Sequence, residues 1–319
     1  MTDLSFFISK IETALSRRKS FVQNSEYTTA WRMVNGDGDG IDNITVDRLG
    51  DVILVESHGR DTEAELVIKA LAVLFPKTAI FLKNRWSPDL KQKRGTQISG
   101  PPAANLIKIV ENGLKFKLNL TDEEHIGLFL DSRPARKFVL NNSRDRRVLN
   151  LFSYTAGFGV AAAAGNALST VNIDNKNSAL RIGKDNYVKN SLSFDTRTFF
   201  KCDVLEYLKR ASKQTGRFDF IIIDPPPKFK RKGKTDFLSH IHYDKLLNSC
   251  LTLAGDSDSI IMAGLNSLKA GDSQFETLIN SAGAAVGKSL QIIDTIGPGC
   301  DFPASKTRPV ARFKILKIL

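Results

Sequence analysis

The second half of the chain alternates between short strand-like runs and helical runs, and this pattern restricts the fold more than any other feature. Strands that alternate with helices form parallel sheets, with the helices as crossover connections. We therefore predict an α/β fold with a doubly wound parallel sheet, to which the tail from Leu290 adds two strands joined by a Pro/Gly-rich loop. The strand-like runs are "RVLNLF", "STVNID", "TRTFFKCD", "FDFIIID" and "SIIMAG", and the helical runs are "GVAAAAGNA", "NSALRIGKDNYVKN", "VLEYLKRASK" and "HYDKLLNSCLTLA".

The first part of the chain has a different texture and predicts a smaller domain of its own. Residues 4–22 have the period of an amphipathic helix, and β-type runs dominate from about residue 28. A helical run, "DTEAELVIKALAVLF", and a hairpin that turns at Asn112-Gly113 complete an α+β module. The predicted division is an N-terminal helix or extension over 1–27, a small α+β domain over 28–120 and the sheet domain over 121–319.

Charge and cysteine usage restrict the partners and the compartment. Lysine and arginine outnumber the acidic residues 46 to 34, which gives a formal net charge of +12 and favours a polyanionic partner such as nucleic acid. The three cysteines are far apart, so the sequence predicts neither a disulfide framework nor a zinc site, and it favours a reducing compartment. There is no signal-peptide pattern and no apolar run of membrane-spanning length. We predict a cytoplasmic protein without a metal or a membrane partner.

Polar residues stand at the ends of four successive strands of the predicted sheet. The first strand runs into "NLFSYTAGFG", and Asp174, Asp203 and Asp224 end the next three. Ligands of open α/β sheets bind outside the carboxyl ends of the strands, where Asp174 can accept hydrogen bonds from ribose hydroxyls and Asp203 from an adenine amino group. Each acid alone could merely cap a helix. Together, the strand ends predict a pocket for an adenosine-containing ligand.

The composition of the first turn decides which adenosine ligand is favoured. The spacing of the strand-end residues alone also allows a dinucleotide ligand. However, "NLFSYTAGFG" is not the G-x-G-x-x-G pattern that holds a pyrophosphate. An adenosine cofactor without phosphates fits better, and S-adenosyl-L-methionine is the common one.

Three segments carry a resemblance to a known family. "LNLTDEEHIGLFLDSRPARKFV", "VLNLFSYTAGFG" and "DPPPKF" resemble the bacterial large-subunit (23S) ribosomal RNA methyltransferases with a class I S-adenosylmethionine-dependent fold. Both the cytosine-C5 enzymes and the guanine-N7 half of the fused guanine methyltransferases are similar. The resemblance covers roughly residues 28–319. It implies a Rossmann-like sheet, S-adenosylmethionine as cofactor and 23S ribosomal RNA or its precursor as partner, and it leaves a homodimer open.

The resemblance also implies which residues surround the cofactor. Asp174 holds the ribose, Asp203 the adenine side, and Asp224 lies at the methyl-transfer centre. Ala156 stands where these proteins usually have glycine, and Asp224 is one residue further from Phe229 than is usual. The PUA module that precedes some relatives is not found here, so RNA docking is expected to rest on the small domain and the basic surface. The implied cofactor-binding residues are Asp131, Arg133, Asn150, Phe152, Ser153, Tyr154, Thr155, Gly157, Asp174, Asp203 and Asp224.

The identity of the methylated atom depends on a cysteine. Cytosine C5 becomes nucleophilic only after a thiolate adds to the neighbouring ring carbon. The resembling cytosine enzymes place that cysteine after the fifth strand, where this chain has Leu265 and Asn266. Cys202 and Cys250 have the surroundings of packing residues, which leaves Cys300 as the alternative nucleophile.

The sequence therefore favours a guanine nitrogen, N7 or N2, with cytosine C5 as the alternative. Asp224 and the Pro225 carbonyl would accept hydrogen bonds from the base, Phe229 would stack on it, and Asn266 would complete the polar rim. The predicted catalytic set is Asp224, Pro225, Pro226, Phe229 and Asn266.

The run "KFKRKGK" follows this set directly. Elsewhere it would be interpreted as a solvated mobile loop, but beside Asp224 it is predicted to grip phosphates while a base is drawn out of its stack. Arg85 and Trp86 of the small domain extend this track, with Lys83, Lys91, Lys93 and Arg94 nearby, although Trp86 could be ordinary packing. A non-catalytic RNA-binding protein and a small-molecule methyltransferase remain as alternatives. The predicted RNA-binding residues are Lys228, Lys230, Arg231, Lys232, Lys234, Arg85 and Trp86.

Overall fold

The chain folds into two compact units in a computed structural model. The first unit comprises Met1–Leu130 with Gly299–Arg308, and the second comprises Asp131–Pro298 with Pro309–Leu319. The segment Gly299–Arg308, which the sequence placed in the sheet domain, thus belongs to the first unit. The structure describes residues 3–23, 27–60, 63–122, 125–213, 217–231, 234–255, 258–267, 269–307 and 311–319.

The first unit is built on a five-stranded sheet. Its strands are β1 (Ala30–Asn35), β2 (Ile44–Leu49), β3 (Val52–Ser57), β4 (Ala79–Asn84) and β5 (Thr96–Ser99). The helices are α1 (Leu4–Arg17), α2 (Lys19–Gln23), α3 (Glu63–Leu74) and α4 (Leu90–Lys93). The strand order is β1-β2-β3-β4-β5; β3 and β4, which α3 connects, pair in parallel, and the other neighbours in this sheet pair in antiparallel fashion.

An apolar stripe of α1 closes the core of this unit. Asp3 caps the helix by accepting the backbone N–H of Phe6 at 3.0 Å, and Phe7, Ile11 and Ala14 are buried against the sheet. A separate hairpin, β6 (Leu106–Glu111) with β7 (Leu114–Asn119), follows the sheet. It turns at Asn112 and Gly113, whose φ angles of 51° and 79° are those of the predicted two-residue turn.

Polar contacts attach the segment Gly299–Arg308 to the first unit. The carboxylate of Asp37 accepts the backbone N–H of Lys306 at 2.8 Å and also bonds Ser305, and these bonds lower its pKa to about 2. The buried guanidinium of Arg18 pairs with Asp39 at 2.6 Å and donates to the Asp301 carbonyl at 2.9 Å. The aspartates of "GDGDG" therefore bind other residues of the protein. Among the described residues, no cluster of metal-ligating side chains occurs.

The second unit contains a seven-stranded sheet. Its strands are β8 (Arg147–Leu151), β9 (Ser169–Asp174), β10 (Phe199–Lys201), β11 (Phe220–Ile223), β14 (Ile260–Leu265), β15 (Leu290–Ile296) and β16 (Arg312–Ile318), and β12 (Lys228–Arg231) and β13 (Lys234–Leu238) form a separate pair. In the strand order β10-β9-β8-β11-β14-β16-β15, the first five strands pair in parallel, and β16 pairs in antiparallel fashion with both β14 and β15. This confirms the predicted doubly wound sheet with two strands in the tail. The helices are α5 (Arg133–Asn142), α6 (Gly157–Ala164), α7 (Asn177–Lys189), α8 (Val204–Ala211), α9 (Ser239–Leu251) and α10 (Asp272–Ala285).

The central strands of this sheet are apolar along their whole length. Every residue of β11 and β14 is buried, as expected for strands that are covered by helices on both faces. The strand order reverses between β8 and β11, and the sheet has its topological switch point there. Within the part of the chain that is described, none of the helices combines the length and apolar character that a bilayer crossing requires.

Candidate active site

The strand register brings the predicted site residues to one edge of the seven-stranded sheet. Leu151 of β8 pairs with Ile223 of β11 and with Ile173 of β9. The residues that directly follow these three therefore lie side by side at the carboxyl end of the sheet. Phe152, Asp224 and Asp174 are those next residues. Parallel strands thus place the turn after β8 beside two of the predicted carboxylates, at the switch point where such sheets bind ligands.

The turn between β8 and α6, Phe152–Gly157, is called the cofactor turn below. Three of its non-glycine residues, Phe152, Tyr154 and Ala156, have φ angles of 55°, 49° and 57°. Each such residue costs roughly 1 kcal/mol or more, and strain of this kind persists only where the surroundings impose it. Ala156, at the place where the resemblance implies glycine, carries a Cβ penalty that glycine would avoid.

Asp174 fixes one side of the cofactor turn. Its two carboxylate oxygens accept the backbone N–H groups of Tyr154 and Lys176, each at 2.8 Å, and the N–H of Ser153 donates to the Ile173 carbonyl at 2.9 Å. Burial raises the pKa of Asp174, and these backbone donors partly offset the effect. The carboxylate predicted to hold a ribose therefore also shapes the turn.

Unsatisfied polar atoms are concentrated at this edge of the sheet. Among the described residues, four buried side-chain oxygens lack a hydrogen-bond partner, and three of them belong to predicted site residues. These three are Asn150 Oδ1, Ser153 Oγ and Asn266 Oδ1. An unpaired buried polar atom costs about 1–3 kcal/mol, so such atoms are normally paired. A ligand that offers amino and hydroxyl donors would pair them, and S-adenosylmethionine carries both groups.

Two carboxyl groups of the second unit influence each other at the centre of the site. Burial raises the pKa of Asp224 to about 7; the negative charge of Asp131 adds to this effect, and the guanidinium of Arg136 opposes it. Asp131 accepts the backbone N–H of Ala311 at 2.9 Å. Paired carboxyl groups stabilise a bound cation, so this arrangement suits a sulfonium.

The buried guanidinium of Arg136 was not foreseen, although the sequence contains a signal for it. Arg133 and Arg136 are both buried on α5, three residues apart and so on the same face of the helix. The sequence "SRPAR" therefore already places a second arginine beside the predicted Arg133. Arg136 also lies 5.8 Å from the ring centroid of Phe158.

In the structure, Asp203 caps a helix, which is one of the two roles that the sequence left open. Its side chain caps α8 by accepting the backbone N–H of Glu206 at 3.0 Å. Contact with an adenine stays a prediction for this residue. Pro225 is buried and Pro226 exposed, and the carbonyl of Pro227 accepts the backbone N–H of Ser239 at 3.0 Å, which fixes the end of the proline run.

The described part of the basic run belongs to two paired strands rather than to a loop, and residues 228–231 and 234–238 are called the basic hairpin below. It consists of β12 (Lys228–Arg231) and β13 (Lys234–Leu238), which pair in antiparallel fashion. The ring of Phe229 stacks on Phe237 at 4.6 Å and tilts against Phe152 at 5.2 Å. Phe237 thus covers one face of the Phe229 ring, so a base could stack only on the opposite face.

The predicted RNA-binding residues have different surroundings. Lys228 is exposed and pairs with Asp236 at 2.9 Å. In the first unit, Arg85 lies 3.7 Å from Glu56, and Trp86 is exposed with the Arg60 guanidinium 5.7 Å from its ring. Outside the described residues lie Lys232 and the side chains of Lys230, Arg231 and Lys234.

The extension of the track to Lys83 is wrong. Lys83 is fully buried, its ammonium donates to the Asp122 carbonyl, and burial lowers its pKa. A buried ammonium that is engaged in this way cannot contact a phosphate at the surface.

Comparison with known proteins identifies the family. The family described as "S-adenosylmethionine-dependent methyltransferase" matches residues 52–318. YwbD of Bacillus subtilis, provisionally named a ribosomal RNA large subunit methyltransferase, is 31% identical over 98% of this chain and 79% of its own. Ribosomal RNA large subunit methyltransferase I of Aeromonas salmonicida is 28% identical over 96% of this chain and 78% of its own.

A solved structure agrees with this result. SMU.776, provisionally described as a methyltransferase and crystallised with SAH, matches with a TM-score of 0.90 and 27% identity, over 99% of this chain and 82% of that one. The family match confirms the predicted cofactor and reaction class over the dinucleotide and non-catalytic alternatives. The chain belongs to the S-adenosylmethionine-dependent methyltransferase family.

Proposed function

We propose that this methyltransferase modifies large-subunit ribosomal RNA at a guanine nitrogen, N7 or N2. The curated relatives are named as ribosomal RNA large subunit methyltransferases, and the formal charge of +12 suits a polyanionic substrate. Such a substrate would place the enzyme in the cytoplasm. The observation that carries the choice of atom is Asn266, which follows β14 where a cysteine nucleophile would stand and has a buried, unpartnered oxygen.

The residues at the strand ends are proposed to orient cofactor and base. S-adenosylmethionine, when bound, supplies an electrophilic methyl group on its sulfonium. Asp174 and the cofactor turn hold the nucleoside part, and the orphaned oxygens of Asn150 and Ser153 accept its donors. Asp131 and Asp224 favour the positive charge. Catalysis then consists mainly of aligning the nucleophile with the methyl group and excluding water.

Asp224 and Asn266 are proposed to hold the target base. Guanine N7 carries its own lone pair and needs orientation only. The amino group N2 must lose a proton, and a carboxylate whose pKa is about 7 can accept it near neutral pH. The Pro225 carbonyl and Asn266 Oδ1 provide further acceptors for an amino or imino edge.

The thiols support a nitrogen target. Cys250 is buried in α9 and burial raises its pKa well above the usual range, which keeps it protonated and inert. Burial also raises the pKa of the half-buried Cys202. Cys300 is exposed and belongs to the first unit, and it remains the nucleophile of the cytosine alternative.

RNA docking is proposed to involve the basic hairpin and the small α+β domain. The Lys228–Asp236 pair is solvent-exposed and contributes about 0–1 kcal/mol, so an RNA phosphate can displace the aspartate at little cost. The side chain of Trp86 is exposed enough to stack on an unpaired base.

Nucleoside analysis of ribosomal RNA tests this proposal. RNA from wild-type and deletion strains is digested and quantified by mass spectrometry, with complementation by the wild-type gene and by Cys300→Ser. The expected result is a missing methylguanosine that both genes restore. A missing methylcytidine, restored by the wild-type gene and not by Cys300→Ser, would establish the cytosine reaction instead.

A further inference from the structure

We propose that Asn186, on α7, is a positioning residue that holds the cofactor turn in its binding conformation. The inference rests on the proposed assignment of that turn to the cofactor. No part of the motif that indicated the cofactor site contains Asn186, which lies 29 residues after Gly157 in the chain.

The cofactor turn is held by contacts from more than one element. Phe152, Tyr154 and Ala156 have strained positive φ angles, and such a conformation persists only where surrounding contacts impose it. On the side of β9, Asp174 and the Ile173 carbonyl bind the backbone N–H groups of Tyr154 and Ser153. Within the turn, the N–H of Ala156 donates to the Ser153 carbonyl at 2.7 Å, and a further element contacts the far half of the turn at Thr155.

Helix α7 is this further element. The side-chain Nδ2 of Asn186 donates to the Thr155 carbonyl at 3.2 Å, and Asn186 is fully buried. One turn earlier, Gly183 lets the helix approach closely, because a Cβ at that position would lie 3.0 Å from the Ala156 Cβ and 3.3 Å from the Thr155 carbonyl. Residues 183 and 186 share a helix face, and this face therefore contacts the turn directly.

Helix α7 is itself fixed to the sheet. The hydroxyl of Tyr187, which is fully buried, lies 2.7 Å from Thr170 Oγ1 and accepts from Asn172 Nδ2 at 3.3 Å, and both partners belong to β9. A buried asparagine in a helix interior is otherwise unfavourable, because it costs desolvation and has a low helix propensity. The bond to Thr155 gives Asn186 a physical reason to be there.

Binding of S-adenosylmethionine to an asparagine variant tests the role. Asn186→Ala removes the donor to Thr155, and we expect the dissociation constant measured by calorimetry without RNA to rise roughly tenfold. The KM for the cofactor should rise with it, while kcat at saturating cofactor stays within about threefold, because the bond acts on binding.

Asn190→Ala is the matched control. Asn190 is the C-cap residue of α7, one turn after Asn186, and its Nδ2 donates to the Asn186 carbonyl at 2.8 Å, so the variant removes a similar bond at the same helix. Its cofactor affinity should stay within about twofold of wild type. Equal losses in both variants would mean general loosening of α7 and would overturn the proposal.

A second variant keeps the test decisive if Asn186→Ala does not fold. Gly183→Ala improves helix propensity but pushes against Thr155, so cofactor affinity should fall while the helix remains intact. Wild-type affinity in Asn186→Ala or in Gly183→Ala refutes the role of α7. If Asp174→Ala loses the cofactor while the α7 variants bind normally, only this inference fails. If the wild-type chain and Asp174→Ala bind equally well, the proposed cofactor site fails too.

Discussion

Replacing Asp224 by asparagine should stabilise the ligand-free protein and abolish methyl transfer. Burial holds the pKa of Asp224 at about 7, against an ordinary value of 3.8, so the folded state opposes ionisation. The unfolded carboxyl ionises above pH 3.8, and the folded one only above about 7. The raised pKa of Asp224 therefore makes the folded wild-type protein lose stability as the pH rises from 3.8 toward 7. The Asp224→Asn variant has no carboxyl group to ionise and avoids this loss.

The magnitude follows from the two pKa values. The difference between 3.8 and about 7 corresponds to about 4 kcal/mol above pH 7, and less than half of that at pH 5. Urea unfolding of wild type and Asp224→Asn at pH 5 and pH 8 measures the difference in free energy of unfolding at each pH. The variant should be more stable, by a margin that grows with pH.

Asp219 provides a control with the opposite sign at the other end of β11. Hydrogen bonds from Arg147, together with its charge, lower the pKa of Asp219, and the contact between the guanidinium and the carboxylate is 2.8 Å long. That carboxylate contributes stability above its unfolded pKa, which is lost as the pH falls through the folded pKa. Asp219→Asn should therefore destabilise the protein at pH 8 and have less effect at acidic pH. If Asp224→Asn behaved like Asp219→Asn, the electrostatic account of the site would be refuted.

Three further changes have definite expected outcomes. Gly159→Ala should lower the free energy of unfolding by about 2–4 kcal/mol in urea titrations, because its Cβ would lie 2.2 Å from the buried Asn172 Oδ1, whereas Gly297→Ala meets no atom within 4 Å and should be neutral. Cys300→Ser should retain near wild-type methyl transfer; a decrease above about a hundredfold in kcat would favour the cytosine reaction. Neutralising the basic residues of the basic hairpin should weaken RNA binding and reduce the slope of log K against log salt by about 0.7 for each phosphate that is no longer neutralised, and an unchanged slope would remove the hairpin from the RNA surface.

The sheet and its strand-end carboxylates were predictable because their signals are local. The apolar run "FDFIIID" forms the buried strand β11, and a parallel strand places Asp224 at the ligand edge by geometry alone. The hairpin at Asn112-Gly113 follows from the φ preferences of those two residue types. Such signals do not depend on distant parts of the chain.

The features that the sequence did not reveal depend on contacts between distant residues. Nothing in the residue types of Phe152 and Tyr154 requires a left-handed backbone, and the carboxylate that binds the Tyr154 N–H belongs to Asp174, which lies on another strand. The basic hairpin forms because Phe229 pairs with Phe237 and packs on Phe152, although its charges alone suggested a loop. Burial of Lys83 likewise depends on a carbonyl at Asp122, far along the chain.

A crystal structure of the protein with S-adenosylhomocysteine tests the central claim most directly. The account predicts the ligand at the carboxyl ends of β8, β9, β11 and β14, with its ribose hydroxyls bonded to Asp174. Asn150 Oδ1 and Ser153 Oγ should gain partners from the ligand or from water ordered around it. A ligand bound elsewhere, or bound there with Asp174 out of hydrogen-bond reach of the ribose, would contradict the account.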